Sequence, residues 1–162
     1  MDIERKFTKQ ELLRKVALAN NDFIATVDVA ADTMTLIDGR ILFAEDNDIN
    51  AELAALFLKN LGAAAVDRAN DGKEGVEMFL RAGENYYDCI LMDLRMPVMD
   101  GLTAAREIRK LSRPDAQTVP IVAMTADAYT DDAEKCRAAG MNDHLAKPID
   151  RDKVIACLSK YL

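Results

Sequence analysis

Asp88-Cys89-Ile90-Leu91-Met92-Asp93, residues 88–93, is an almost wholly apolar run that stops at a carboxylate. A strand without polar alternation has to be covered on both faces, as the central strand of a parallel sheet between two helical layers is. The run predicts such a strand, and Asp93 marks its C-terminal end.

Outward from it the same rhythm repeats. Before it stand Ile41-Leu42-Phe43-Ala44 and a short, weak strand at Ala64-Ala65-Val66; after it come Ile121-Val122-Ala123-Met124 and a last strand around His144-Leu145-Ala146. Between these runs lie segments of helical period, the clearest carrying Ile49, Leu53, Leu56, Phe57 and Leu61 at spacings of three and four and ending at Gly62. Others carry Val76, Phe79 and Leu80; Leu102, Ala105, Ile108 and Leu111; and Val154, Leu158 and Tyr161. One more has Thr130 as its cap, Asp131 and Asp132 in its first turn and Gly140 at its end. Five β-α units of this kind predict an α/β fold with a five-stranded parallel sheet over residues 39–162. Ser112 to Thr118, with Pro114 inside it, reads as a polar link.

Residues 1–38 fall outside that rhythm. A helix over about Lys9 to Asn20 and a hairpin built on Phe23-to-Val29 and Met34-to-Ile37 are expected there. This resembles only the opening of a PAS domain, so the segment is read as an extension: a truncated sensor remnant, a linker, or an arm that joins two copies into a homodimer.

Composition narrows the function. Of 162 residues 50% are hydrophobic and 30% charged, as in an ordinary globular protein, and the net charge of −7 without a Lys/Arg cluster argues against nucleic acid as a partner. Cys89, Cys136 and Cys157 are odd in number and widely spaced, which points to reduced thiols and a cytoplasmic setting. No apolar run approaches the ~18 residues of a membrane span, so no membrane contact is expected from this chain.

In an open parallel sheet the C-terminal strand ends meet along one edge. Here they carry Glu45-Asp46, Asp93, Thr125 and Lys147. Carboxylates gathered there would repel one another unless a cation sat among them, and an all-oxygen set favours Mg²⁺. Asp93 is then placed to attack phosphorus, with the Lys147 ammonium and the Thr125 hydroxyl next to the charge that develops. Taken singly, each residue has a duller reading: Asp46 as a helix cap, Thr125 as a loop residue, Lys147 as a solvated lysine.

Together these residues resemble the receiver domain of response regulators and hybrid histidine kinases. The resemblance rests on Glu45-Asp46-Asn47 with Asn50, on Leu91-Met92-Asp93-Leu94-Arg95-Met96-Pro97-Val98-Met99-Asp100-Gly101, on Met124-Thr125-Ala126, and on Gly140-Met141-Asn142-Asp143 before Lys147-Pro148. It implies a flavodoxin-like, doubly wound sheet of order 2-1-3-4-5. It also implies that Asp93 is phosphorylated, that Asp46, Asp93 and the main-chain carbonyl of Arg95 bind Mg²⁺ with Glu45 acting through water, and that Thr125 and Lys147 bind phosphoryl oxygens. The implied partners are a histidine kinase or a histidine phosphotransfer domain, in a self-catalysed aspartyl transfer that needs no kinase core in this chain. Arg95 and Asp127 would influence how long the phosphoryl group lasts. His144 stands where the family often has Tyr or Phe coupled to the hydroxyl residue, so a Thr125/His144 switch departs from the pattern. A Mg²⁺-dependent phosphatase with an Asp nucleophile is disfavoured, because Arg95 occupies the place of its second Asp. A non-phosphorylated pseudo-receiver is disfavoured because no acid and no Lys is lost.

Overall fold

A computed structural model describes residues 38–126 and 131–162. The expected helix and hairpin of residues 1–37, Asp127 and Thr130 lie outside the described residues.

Within them the chain runs β1 (Arg40–Ala44), α1 (Asp48–Asn60), β2 (Ala65–Ala69), α2 (Gly72–Arg81), β3 (Cys89–Asp93), α3 (Gly101–Arg109), α4 (Pro114–Thr118), β4 (Ile121–Thr125), α5 (Asp131–Ala138), β5 (Asp143–Ala146) and α6 (Arg151–Leu158). The strands form one parallel sheet of order β2-β1-β3-β4-β5, the order the resemblance implied.

The alternation of side chains along each strand splits the core in two. Ile41, Phe43, Cys89, Leu91, Val122 and Met124 face a layer completed by Leu53, Phe57 and Leu58 of α1 and Val154 and Leu158 of α6. Leu42, Ala44, Ile90, Met92, Ile121 and Ala123 face the other, with Phe79 of α2, Ala104 and Ile108 of α3 and Cys136 of α5. All five residues of β3 and of β4 are buried, as their unbroken apolar runs require. The three cysteines are free and buried, and burial pushes the Cys89 thiol up to about 12. Glycines end α1 and α5 in the left-handed conformation, Gly62 at φ 112° and Gly140 at φ 93°.

Two elements differ from the sequence expectation. β2 extends to Ala69 because its polar residues find partners within the fold: Tyr87 donates its hydroxyl proton to Asp67 Oδ2 at 2.8 Å, and Arg68 bonds to the loop beyond β1. The link at 112–118 contains α4, a short helix whose first residue is Pro114, a position where proline's missing N–H costs nothing. No described helix is long and apolar enough to cross a membrane.

Candidate functional site

β1 ends in a loop of two residues before the helix cap. Asn47, rather than Asp46, caps α1, its side chain accepting from Asn50 N–H at 3.0 Å. Asp46 is thereby left exposed and free to face the sheet edge, while Glu45 is buried, with Oε1 accepting from Asn47 N–H at 3.2 Å.

β3 delivers Asp93, 6% exposed, onto the same edge. Its chain is held closely from behind. Leu94 N–H donates to Met124 O at 3.3 Å, Gly101 N–H donates to Leu94 O at 3.1 Å, and a Cβ at Gly101 would collide with the Asp93 carbonyl. Any side chain at residue 101 would therefore push the start of α3 away from the carboxylate. Arg95 N–H points back at Asp93 Oδ1 at 3.4 Å, which puts that peptide on the rim of the site. Between them the loop makes a tight turn at Val98, φ 68°, with Met99 N–H donating to Pro97 O at 2.7 Å.

The fourth and fifth strands supply the counterparts. Lys147 N–H continues the ladder by donating to Thr125 O at 2.7 Å, and the Lys147–Pro148 bond is cis. Lys147 is 18% exposed rather than solvated, with Nζ 3.3 Å from Asp93 Oδ2 and 3.7 Å from Glu45 Oε2. Thr125 is 2% exposed, and its hydroxyl has no hydrogen-bond partner among the described residues.

Glu45, Asp46 and Asp93 offer carboxylate oxygens that all lie within 4.8 Å of one another. Burial, then the nearby Asp93 charge, push Glu45 from its ordinary 4.5 up to about 7, against the pull of Lys147. Its Oε2 has no hydrogen-bond partner among the described residues. A crowded, partly unsatisfied set of hard oxygens with no His or Cys in it fits a divalent cation of the Mg²⁺ kind. One Lys cannot neutralise three carboxylates.

His144 stands in β5 opposite Ala123, and Ala146 stands opposite Thr125. Paired residues of neighbouring strands share a face, so His144 and Thr125 project to the same side of the sheet. His144 there lines a cleft of about 150 Å³ with Cys136 and Arg137 of α5. The sheet edge thus gathers five expected residues, Glu45, Asp46, Asp93, Thr125 and Lys147, with Arg95 on its rim and His144 further down β5. The anticipated lifetime residue Asp127 lies outside the described residues. Arg68, which grips the acidic loop, was not anticipated; its only sequence signal is a long cation, next to Asp67, in a short strand whose other residues are small and apolar.

Comparison with known proteins gives a match to the response regulator receiver domain family over residues 41–159. Two-component system protein A of Emericella nidulans is 40% identical over 121 residues, which is 75% of this chain and 17% of that protein. The receiver domain of sensor histidine kinase PA1611 from Pseudomonas aeruginosa PAO1, solved with a magnesium ion coordinated in its active site cleft, is 41% identical. It aligns at a TM-score of 0.67 over 77% of this chain and 98% of that one. The receiver domain of Ssk1 from Saccharomyces cerevisiae, crystallised with the histidine phosphotransfer protein Ypd1, is 29% identical with a TM-score of 0.65, covering 75% of this chain and 87% of that one.

Proposed function

The chain belongs to the response regulator receiver family, and from that membership and its strand-edge site we propose that Asp93 accepts a phosphoryl group from a phosphohistidine in a two-component phosphorelay. The observation that carries this reading is the setting of Asp93: a buried carboxylate 3.3 Å from Lys147 Nζ, with two further carboxylates beside it.

A carboxylate oxygen of Asp93 forms the new bond to phosphorus as the P–N bond of the donor breaks and its electron pair returns to the imidazole. Asp46, Asp93 and the Arg95 carbonyl would hold Mg²⁺ directly, and Glu45 through water. When bound, the ion supplies positive charge against the equatorial phosphoryl oxygens. Lys147 brings a fixed cation to the same oxygens, and the unpartnered Thr125 hydroxyl is a donor waiting for one of them. As that hydroxyl turns inward, space opens on the face it shares with His144, whose ring then follows; this is the switch. Arg95, and Asp127 two residues beyond Thr125, govern the approach of hydrolytic water.

Because the chain spans 17% of its Emericella relative and is similar to short stretches of hybrid signal transduction histidine kinases, we read it as the receiver segment of a longer hybrid histidine kinase, passing the group on to a histidine phosphotransfer domain. Its three free thiols suit a cytoplasmic setting.

Incubation with a small phosphodonor and Mg²⁺, followed by mass spectrometry, tests the central claim. The expected product is a single base-labile phosphoryl adduct that Asp93→Asn abolishes. An adduct that persists in Asp93→Asn, or none in the wild type, overturns it.

A further inference from the structure

Arg68 is a charged residue on the edge strand β2, opposite Phe43, yet its side chain is only 8% exposed. Its guanidinium reaches past the end of β1. Nε and Nη2 donate to the Glu45 carbonyl at 3.1 and 3.0 Å, Nη2 donates also to the Asp46 carbonyl at 3.2 Å, and Nη1 to Asp48 Oδ1 at 2.7 Å. The pairing of β1 with β2 runs out at Glu45 N–H, which donates to Ala69 O at 3.1 Å, and α1 begins only at Asp48. The carbonyls of Glu45 and Asp46 fall between ladder and helix, where main-chain donors end, and the fork of Arg68 serves both.

Two consecutive peptide planes held in this way fix the directions in which the Glu45 and Asp46 side chains leave the backbone. We propose that Arg68 is a positioning residue of the cation site, setting its affinity for Mg²⁺ through the main chain of Glu45 and Asp46 without touching the ion. The inference rests on the reading of Glu45, Asp46 and Asp93 as the acidic side of that site.

Two effects oppose each other. A guanidinium near a cation site repels the cation, whereas a rigid acidic loop spares the ion the work of ordering its ligands. The Asp48 carboxylate at 2.7 Å offsets the charge of Arg68, so the ordering effect wins and removal of Arg68 weakens binding. Lysine does not replace it, because one ammonium cannot span three acceptors in a fixed fork.

The test is a Mg²⁺ titration of the full chain, followed by amide NMR shifts, for the wild type, Arg68→Lys, Arg68→Met and Asp46→Asn. Outer-shell substitutions usually cost about 10-fold or more in metal affinity, so both Arg68 variants are expected to raise the dissociation constant about 10-fold. Asp46→Asn is expected to abolish the titration. Phosphorylation of the Arg68 variants from a small donor should return to the wild-type rate at high Mg²⁺, a split that general loosening of the fold would not produce. Arg68→Lys keeps the charge and the buried stem should Arg68→Met not fold. Wild-type affinity in Arg68→Lys, with loss in Asp46→Asn, overturns the role of the fork alone. No Mg²⁺ response in the wild type, or an unchanged one in Asp46→Asn, overturns the site reading and this inference with it.

Discussion

Glu45 and Asp115 are both buried carboxylates, 1% and 5% exposed, at opposite ends of the parallel sheet, one following β1 and the other ahead of β4. Asp115 is fully provided for. Arg113 binds it through two parallel bonds of 2.7 and 2.9 Å, Asn85 N–H adds a third at 3.0 Å, and these partners hold its carboxyl below the usual carboxylate range. Arg113 is itself spent on structure, donating to the carbonyls of Leu80 and Ala82 at the C-terminal end of α2 and lying 4.4 Å over the ring of Phe79. Glu45 has the opposite lot: a second carboxylate for a neighbour, a shared lysine at 3.7 Å, and a pKa pushed up to about 7. The same functional group is a rivet at one end of the strands and a source of tension at the other. The difference lies in whether the fold supplies the counter-charge itself or leaves it to be bound.

That contrast can be broken most severely at the riveted end. Asp115→Ala leaves a half-buried Arg113 and a loop N–H without their acceptor, and should cost about 3 kcal/mol of stability, measured by urea unfolding at neutral pH. At the tense end the sign reverses. With divalent ions chelated, the folded protein binds a proton at Glu45 more tightly than the unfolded chain does, so this group's contribution to stability falls as pH rises from about 4.5 to about 7. Glu45→Gln should flatten that slope and, above it, stabilise the metal-free protein by on the order of 2 kcal/mol, as urea unfolding across that window would show. Asp115 acts in the other direction: its lowered carboxyl contributes above the ordinary carboxylate range, and that contribution is lost as pH falls through the depressed value. Addition of Mg²⁺ should remove part of the tension without mutation. At ten times its dissociation constant the gain is about 1.4 kcal/mol, visible as a higher melting temperature that Asp46→Asn does not share. The smallest effect belongs to the cap between the two acids and α1, where Asn47→Ala should cost about 1 kcal/mol in a thermal melt.

The parts of the fold that could be read from residues alone were those whose physics is local and repetitive. β1, β3 and β4 are unbroken apolar runs, and the helices packed on them carry apolar residues at three- and four-residue spacing. β2 was readable only in its first residues, because Asp67 and Arg68 interrupt the pattern and are made tolerable by partners far away in the chain, Tyr87 and the Glu45–Asp48 loop. α4 is too short for its period to show, and its Pro114 reads as a breaker until its place in the first turn is known. At the site, the carboxylates, Thr125 and Lys147 were legible because parallel strands deliver their ends to one edge. Arg68 was not, since it works through main-chain carbonyls, which every residue has. The helix cap was read one residue early, at Asp46, and the backbone of the loop gives the role to Asn47 and releases Asp46.

The strict alternation along β4 sends Met124 into the layer of α1 and α6, while Thr125, next in the chain, projects toward the layer of α2, α3 and α5. The sheet, one residue thick, is therefore a partition. In the proposed switch, a rearrangement entering at the Thr125 hydroxyl would be felt first on the side where His144 and α5 stand, and would spare the packing of α1 and α6 behind the wall. Were that switch to act, one molecule would hold one layer constant and let the other tell its state.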